Sequence, residues 1–105
     1  MNLTYPTALV LHALAQGYHY GFDIMDATGL PSGTVYPILR RLDRESLVRA
    51  RWEKAELAQR EQRPPRRYYE LTASGEALAT AAVQRYRALE GVPARGTRRL
   101  RPARS

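Results

Sequence analysis

Residues 29–47, GLPSGTVYPILRRLDRESL, decide the fold. Val35, Ile38, Leu39 and Leu42 recur at i, i+3, i+4 and i+7, so they share one side of a helix. At 100° per residue, Gly33, Pro37, Arg40 and Arg44 fall on the opposite side, with Thr34 and Arg41 beside them. Ser32 is placed to cap the helix, after the turn Thr28-Gly29-Leu30-Pro31. A helix that buries one side and offers arginines on the other suits the major groove of DNA. A solvated surface helix would show the same pattern, so the rest of the chain must decide.

Upstream, Thr4 can cap a first helix with Pro6 in its first turn, and apolar residues run from Ala8 to Ala15 before Gly17. A second, short helix fits Gly21 to Ala27. Three short helices with a tight turn before the third make a helix-turn-helix. Downstream the period changes to two. Leu47 to Trp52 alternates, and so does Arg67 to Leu71, which predicts two strands. Between them Glu53 to Arg66 reads as a long polar loop ending in Arg63-Pro64-Pro65-Arg66. Two strands after a helix-turn-helix predict a winged helix.

Thr72 is the expected N-cap of a fourth helix, although Gly75 stands where a full capping box would have Glu or Gln. Leu78, Ala82, Tyr86 and Leu89 form a narrow seam suited to helix–helix packing, either across a subunit interface or onto the chain's own core. The expected fold is therefore mainly α with a small β-hairpin. Residues 1–72 form a winged helix-turn-helix domain, 73–90 a C-terminal dimerisation helix, and 91–105 a disordered basic tail.

The 105 residues allow one domain with a modest core, and the net charge is +7. Residues 1–30 contribute −2, whereas 49–70 contribute +3 and 91–105 contribute +5. Positive charge gathered in particular segments points to a polyanion partner. The absence of cysteine excludes disulfides and thiolate metal sites and fits a cytoplasmic, nucleoid-associated protein. No apolar run approaches the ~20 residues of a membrane span. The first residues lack an early basic segment and a small-residue cleavage site, and do not read as a signal peptide. Enzymatic chemistry has little to work with. His12 and His19 are the two histidines, and neither a carboxylate pair nor a phosphate loop accompanies them. No cofactor or metal is implied.

Several of these residues together resemble the PadR-like transcriptional regulators of bacteria. The resemblance runs through Tyr20-Gly21-Phe22-Asp23-Ile24, then Ser32-Gly33-Thr34-Val35-Tyr36-Pro37-Ile38-Leu39-Arg40-Arg41-Leu42. It continues through Leu47-Val48, Trp52-Glu53 and Arg63-Pro64-Pro65-Arg66-Arg67-Tyr68-Tyr69-Glu70-Leu71-Thr72 to Gly75, covering roughly residues 8–80. It implies a winged helix-turn-helix, a homodimer closed by the C-terminal helix, and a transcription factor that is most often a repressor. Many members respond to small aromatic or drug-like molecules in a cavity near the dimer interface. There are departures. The family often has Gly where Ser46 and Gln62 stand. A left-handed residue at position 46 would cost Ser roughly 1 kcal/mol more than Gly. The C-terminal portion has room for one helix and not for the bundle of larger members, which disfavours a deep ligand pocket.

The expected DNA contacts are Ser32, Thr34, Tyr36, Arg40, Arg41 and Arg44 on the third helix and Arg63, Arg66 and Arg67 on the wing. Arg40 points outward and is the candidate reader of a guanine edge. Tyr36 lies to the side, as a phosphate contact or a packing residue. Leu78, Ala82, Tyr86 and Leu89 are the expected dimer interface, and Trp52 is a candidate for lining an effector pocket, with core packing as its alternative. The expected partners are a roughly palindromic double-stranded operator, a second copy of the chain and a small aromatic or drug-like effector. An RNA-binding module and a protein-interaction winged helix are the competing readings. The missing aromatic sheet platform weighs against single-stranded RNA.

Overall fold

The computed structural model describes residues 2–95. Its first three helices are α1 (Tyr5–Ala15), α2 (Gly21–Thr28) and α3 (Ser32–Arg44). The strand β1 (Val48–Trp52), the short helix α4 (Ala55–Arg60) and the strand β2 (Arg67–Leu71) follow. The helix α5 (Ala73–Arg85) and a 3-10 turn over Arg87–Gly91 come next.

α1 is the centre of the molecule. The Thr4 hydroxyl accepts from the Thr7 amide, and Pro6 sits in the first turn. Every residue from Thr7 to Leu14 is buried, as expected of a helix that is apolar nearly all round. Val10, Leu11 and Leu14 face a core shared with Ile24, Val35, Leu39, Leu42, Val48 and Tyr69. Ala8 and Leu9 face a second cluster with Ala82 and Leu89. His12 is buried with them and burial holds its pKa below 6.5.

Gly29 closes α2 in the left-handed conformation, with φ 77°. α3 begins one residue earlier than a serine cap would give. Pro31 is its N-cap, and the Pro31 carbonyl accepts from the Thr34 and Val35 amides at 2.9 and 3.0 Å. An extended proline satisfies the cap geometry without using an N–H, so Ser32 becomes the exposed first helical residue. Val35, Ile38, Leu39 and Leu42 are the buried side of α3, as their spacing predicts.

α3 ends in a Schellman motif. The Leu47 amide donates to Leu42 O at 2.8 Å and the Ser46 amide to Asp43 O at 3.0 Å, with Ser46 left-handed at φ 62°. The predicted strands pair antiparallel, with Val48 opposite Leu71, Ala50 opposite Tyr69 and Trp52 opposite Arg67. The far edge of β2 is met by the α1–α2 connection. The Tyr69 amide donates to His19 O and His19 Nδ1 donates to Tyr69 O, each at 2.8 Å.

The segment read as a loop over 53–66 contains α4. It closes in a second Schellman motif, with Arg63 N to Ala58 O at 3.1 Å and Gln62 N to Gln59 O at 3.0 Å, and Gln62 at φ 57°. Both positions where the resemblance leads one to expect glycine are thus left-handed.

Thr72 caps α5 by accepting from the Gly75 amide at 3.1 Å, and its hydroxyl donates to Ser46 O at 2.8 Å. A side chain on Gly75 would run into Leu47 O, which explains why the capping-box glutamate is absent. The helix expected over 73–90 stops at Arg85, because Tyr86 is extended at φ −123° and ψ 101°. The 3-10 turn then folds Leu89 inward, fully buried with Ala82 against α1. Tyr86 donates to Leu3 O at 3.0 Å and meets the Tyr5 ring edge-on. Leu78 packs at the edge of the main core. Of the four seam residues, Ala82 and Leu89 are thus buried within the chain, whereas Leu78 and Tyr86 are half-buried. The first residues of the expected tail are also held. Gln16 and Tyr18 side chains donate to Val92 O and Pro93 O, and the Arg95 amide donates to Gln16 O at 2.9 Å. The remainder of that tail, 96–105, lies outside the described residues.

Candidate nucleic-acid interface

α3 places Ser32, Arg40 and Arg44 on the exposed side, opposite its buried stripe. Thr34 and Arg41 are half-buried beside them. Tyr36 is a packing residue as well as a surface one. Its ring lies directly over Gly21, where any β-carbon would collide with it, so the start of α2 and the first turn of α3 are seated on each other.

The hairpin stands beside this helix and the two enclose a continuous strip. Nearest Arg40, a groove of about 390 Å³ is lined by Arg40, Asp43, Ala50, Trp52, Arg67 and Tyr69. It runs into one of about 410 Å³ lined by Tyr20, Phe22, Tyr36, Arg66, Arg67 and Tyr69. Arg67 and Tyr69 belong to both. Phe22 is 70% exposed there, with the Arg66 guanidinium 5.7 Å from the Tyr20 ring. Tyr69 is buried, which raises its hydroxyl pKa above 10.0 and keeps it neutral. Cations and aromatic faces thus line the space between α3 and the wing.

Arg63 does not join them. Its guanidinium donates to both carboxylate oxygens of Glu53, at 2.6 and 3.0 Å, and to Glu61 at 3.0 Å. Glu53 also accepts from the Arg66 amide at 3.1 Å and the Tyr20 hydroxyl at 3.2 Å. The Arg63 hydrogen bonds, with the Arg66 amide in support, hold the Glu53 carboxyl at about 2. Arg63 is therefore the internal tie of the wing, and Arg66 and Arg67 are its outward cations. The sequence showed the charge of Arg63 but not the carboxylate that the hairpin folds onto it.

Trp52, read as an effector-pocket residue, stands 63% exposed in the groove beside Arg40. Sequence reasoning also passed over Arg49 and Arg51, whose exposed guanidinium groups pair with Glu70 across the outer hairpin face. Their alternation along β1 was the available signal. Exposed pairs of this kind add little stability. Among the described residues no cluster of three or more His, Cys, Asp or Glu could hold a metal ion. Among those residues no helix is long and apolar enough to cross a membrane.

Residues 10–81 match the "Transcriptional regulator PadR-like family". No curated protein matches the chain. A PadR family transcription regulator from Clostridium difficile R20291 superposes with a TM-score of 0.68 at 23% identity, over 85% of this chain and 94% of that one. A Streptococcus transcriptional regulator gives 0.62 at 22% identity, over 80% and 83%. A PadR-like transcription factor from Bacteroides fragilis gives 0.58 at 27% identity, over 79% and 82%.

Proposed function

The chain belongs to the transcriptional regulator PadR-like family, and from that premise we propose that it is a sequence-specific DNA-binding repressor acting as a cytoplasmic homodimer. The observation that carries the reading is the position of α3. Its exposed side offers Ser32, Arg40 and Arg44 while the wing holds Arg66 and Arg67 alongside. α3 enters the major groove, Arg40 reads a guanine edge, and the helix N-terminus with Ser32 and Thr34 meets a phosphate. Arg41, Arg44 and Tyr36 flank that contact, and Arg66 and Arg67 meet the backbone or a narrow minor groove.

Two copies place their α3 helices in successive major grooves about 10 bp apart, on a roughly palindromic operator. With Ala82 and Leu89 used internally, the surface left on α5 for a second copy centres on Ala77, Leu78 and Ala81. A small aromatic or drug-like effector acts by altering the separation of the two α3 helices.

A gel shift with the protein's own upstream region against matched RNA tests the reading, and preference for RNA would overturn it. Arg40→Ala flattens the difference between operator and random duplex, by ~1–3 kcal/mol. Arg66→Ala weakens all duplexes alike and lowers the salt slope by about 1. Unchanged discrimination in Arg40→Ala would remove Arg40 as the base reader.

A further inference from the structure

Trp52 is the one tryptophan of the chain. Tryptophan offers the largest apolar surface of any side chain, so leaving it open to water forgoes a large burial. Here the ring stands at the wing end of β1, opposite Arg67 in register, with the Arg67 guanidinium 5.0 Å from its centroid. Cation–π attraction sets the two side chains against each other. They share their groove with Arg40, and one carboxylate, Asp43, lies among these groups.

A surface that alternates cations with a flat apolar ring matches a nucleic-acid backbone, where anionic phosphates alternate with apolar sugar faces. A second copy of this chain would bring the same arginines against these, which like-charge repulsion disfavours. We propose that Trp52 is a DNA-contacting residue: its ring packs on a deoxyribose of the strand passing between α3 and the wing, and its indole N–H donates to a neighbouring phosphate oxygen. The proposal rests on the DNA-binding reading above and adds to it an uncharged contact. It also moves Trp52 from a ligand pocket to the operator face.

The test uses the full chain and a labelled duplex from its own upstream region. Indole emission is followed as duplex is added, and affinity is measured by anisotropy across a salt series. The expected result is a change of emission that saturates with binding. Trp52→Ala weakens affinity roughly 5- to 50-fold with the salt slope unchanged, because no charge is lost. Trp52→Phe, which keeps a ring, recovers much of that affinity. Arg67→Ala lowers the slope by about 0.9.

If duplex binds while emission stays constant and Trp52→Ala, folded by circular dichroism, binds within twofold of the parent, the contact does not exist and the DNA reading stands. A lowered slope in Trp52→Ala would mean that the indole acts only through Arg67, which also overturns the contact. An emission change on concentrating the protein without DNA would assign the ring to a second copy. If no duplex binds at all, the DNA reading and the contact fall together.

Discussion

Ser46 and Gln62 are the residues with positive φ that are not glycine, among those described. Each sits at the left-handed position of a Schellman motif, and each motif ends a helix of the half that carries α3 and the wing. A β-carbon in that conformation costs ~1–2 kcal/mol, partly offset because glycine loses more backbone freedom on folding. Ser46→Gly should therefore stabilise by roughly 0.5–1 kcal/mol, raising Tm about 3–6 °C, and Gln62→Gly should do the same on a smaller scale within the wing. Thermal unfolding checks both, and a lowered midpoint for Ser46→Gly would show that the serine side chain does something its backbone does not. The left-handed turn at Ser46 was foreshadowed only by the family resemblance, whose members often have glycine there, because a serine by itself does not announce a helix end. The cap at the other end of α3 was displaced by one residue, since Pro31 and Ser32 both favour helix starts and only the carbonyl direction separates them.

The wing is an element held together by one carboxylate. Glu53 ties the end of β1 to the start of β2 through the Arg66 amide, to the loop through Arg63, and to the N-cap of α2 through Tyr20. Its folded pKa of about 2 lies below the ordinary 4.5, so the tie is complete above about pH 4.5 and is lost as pH falls through about 2. The Arg66 amide shift, followed by NMR, should move in that window. Glu53→Gln should abolish the movement, leave the wing loosened at neutral pH and weaken operator binding severalfold. An identical acid titration in Glu53→Gln would exclude the carboxylate as the cause. Alternation made the strands legible, whereas their pairing register came from the structure. α4 was not legible, because six residues with Ala58 alone buried give too short a period to distinguish from a polar loop.

At the scale of the molecule, α1 separates two clusters. The length of α5 was misjudged because the seam spacing continues across Tyr86, where neither Gly nor Pro announces the break. What lies beyond that break is part of the fold. Leu89→Ala removes a fully buried side chain from the cluster of Ala8, Leu9 and Ala82 and should cost ~2–4 kcal/mol, a fall in Tm of roughly 10–20 °C. Calorimetry should show that loss in the single main transition, and a near-normal midpoint would place Leu89 outside the core. Because Leu9 and Val10 are neighbours in sequence yet belong to opposite clusters, α1 is a party wall one helix thick. Whatever presses on the C-terminal side is felt, a few ångströms away, by the residues that seat α3.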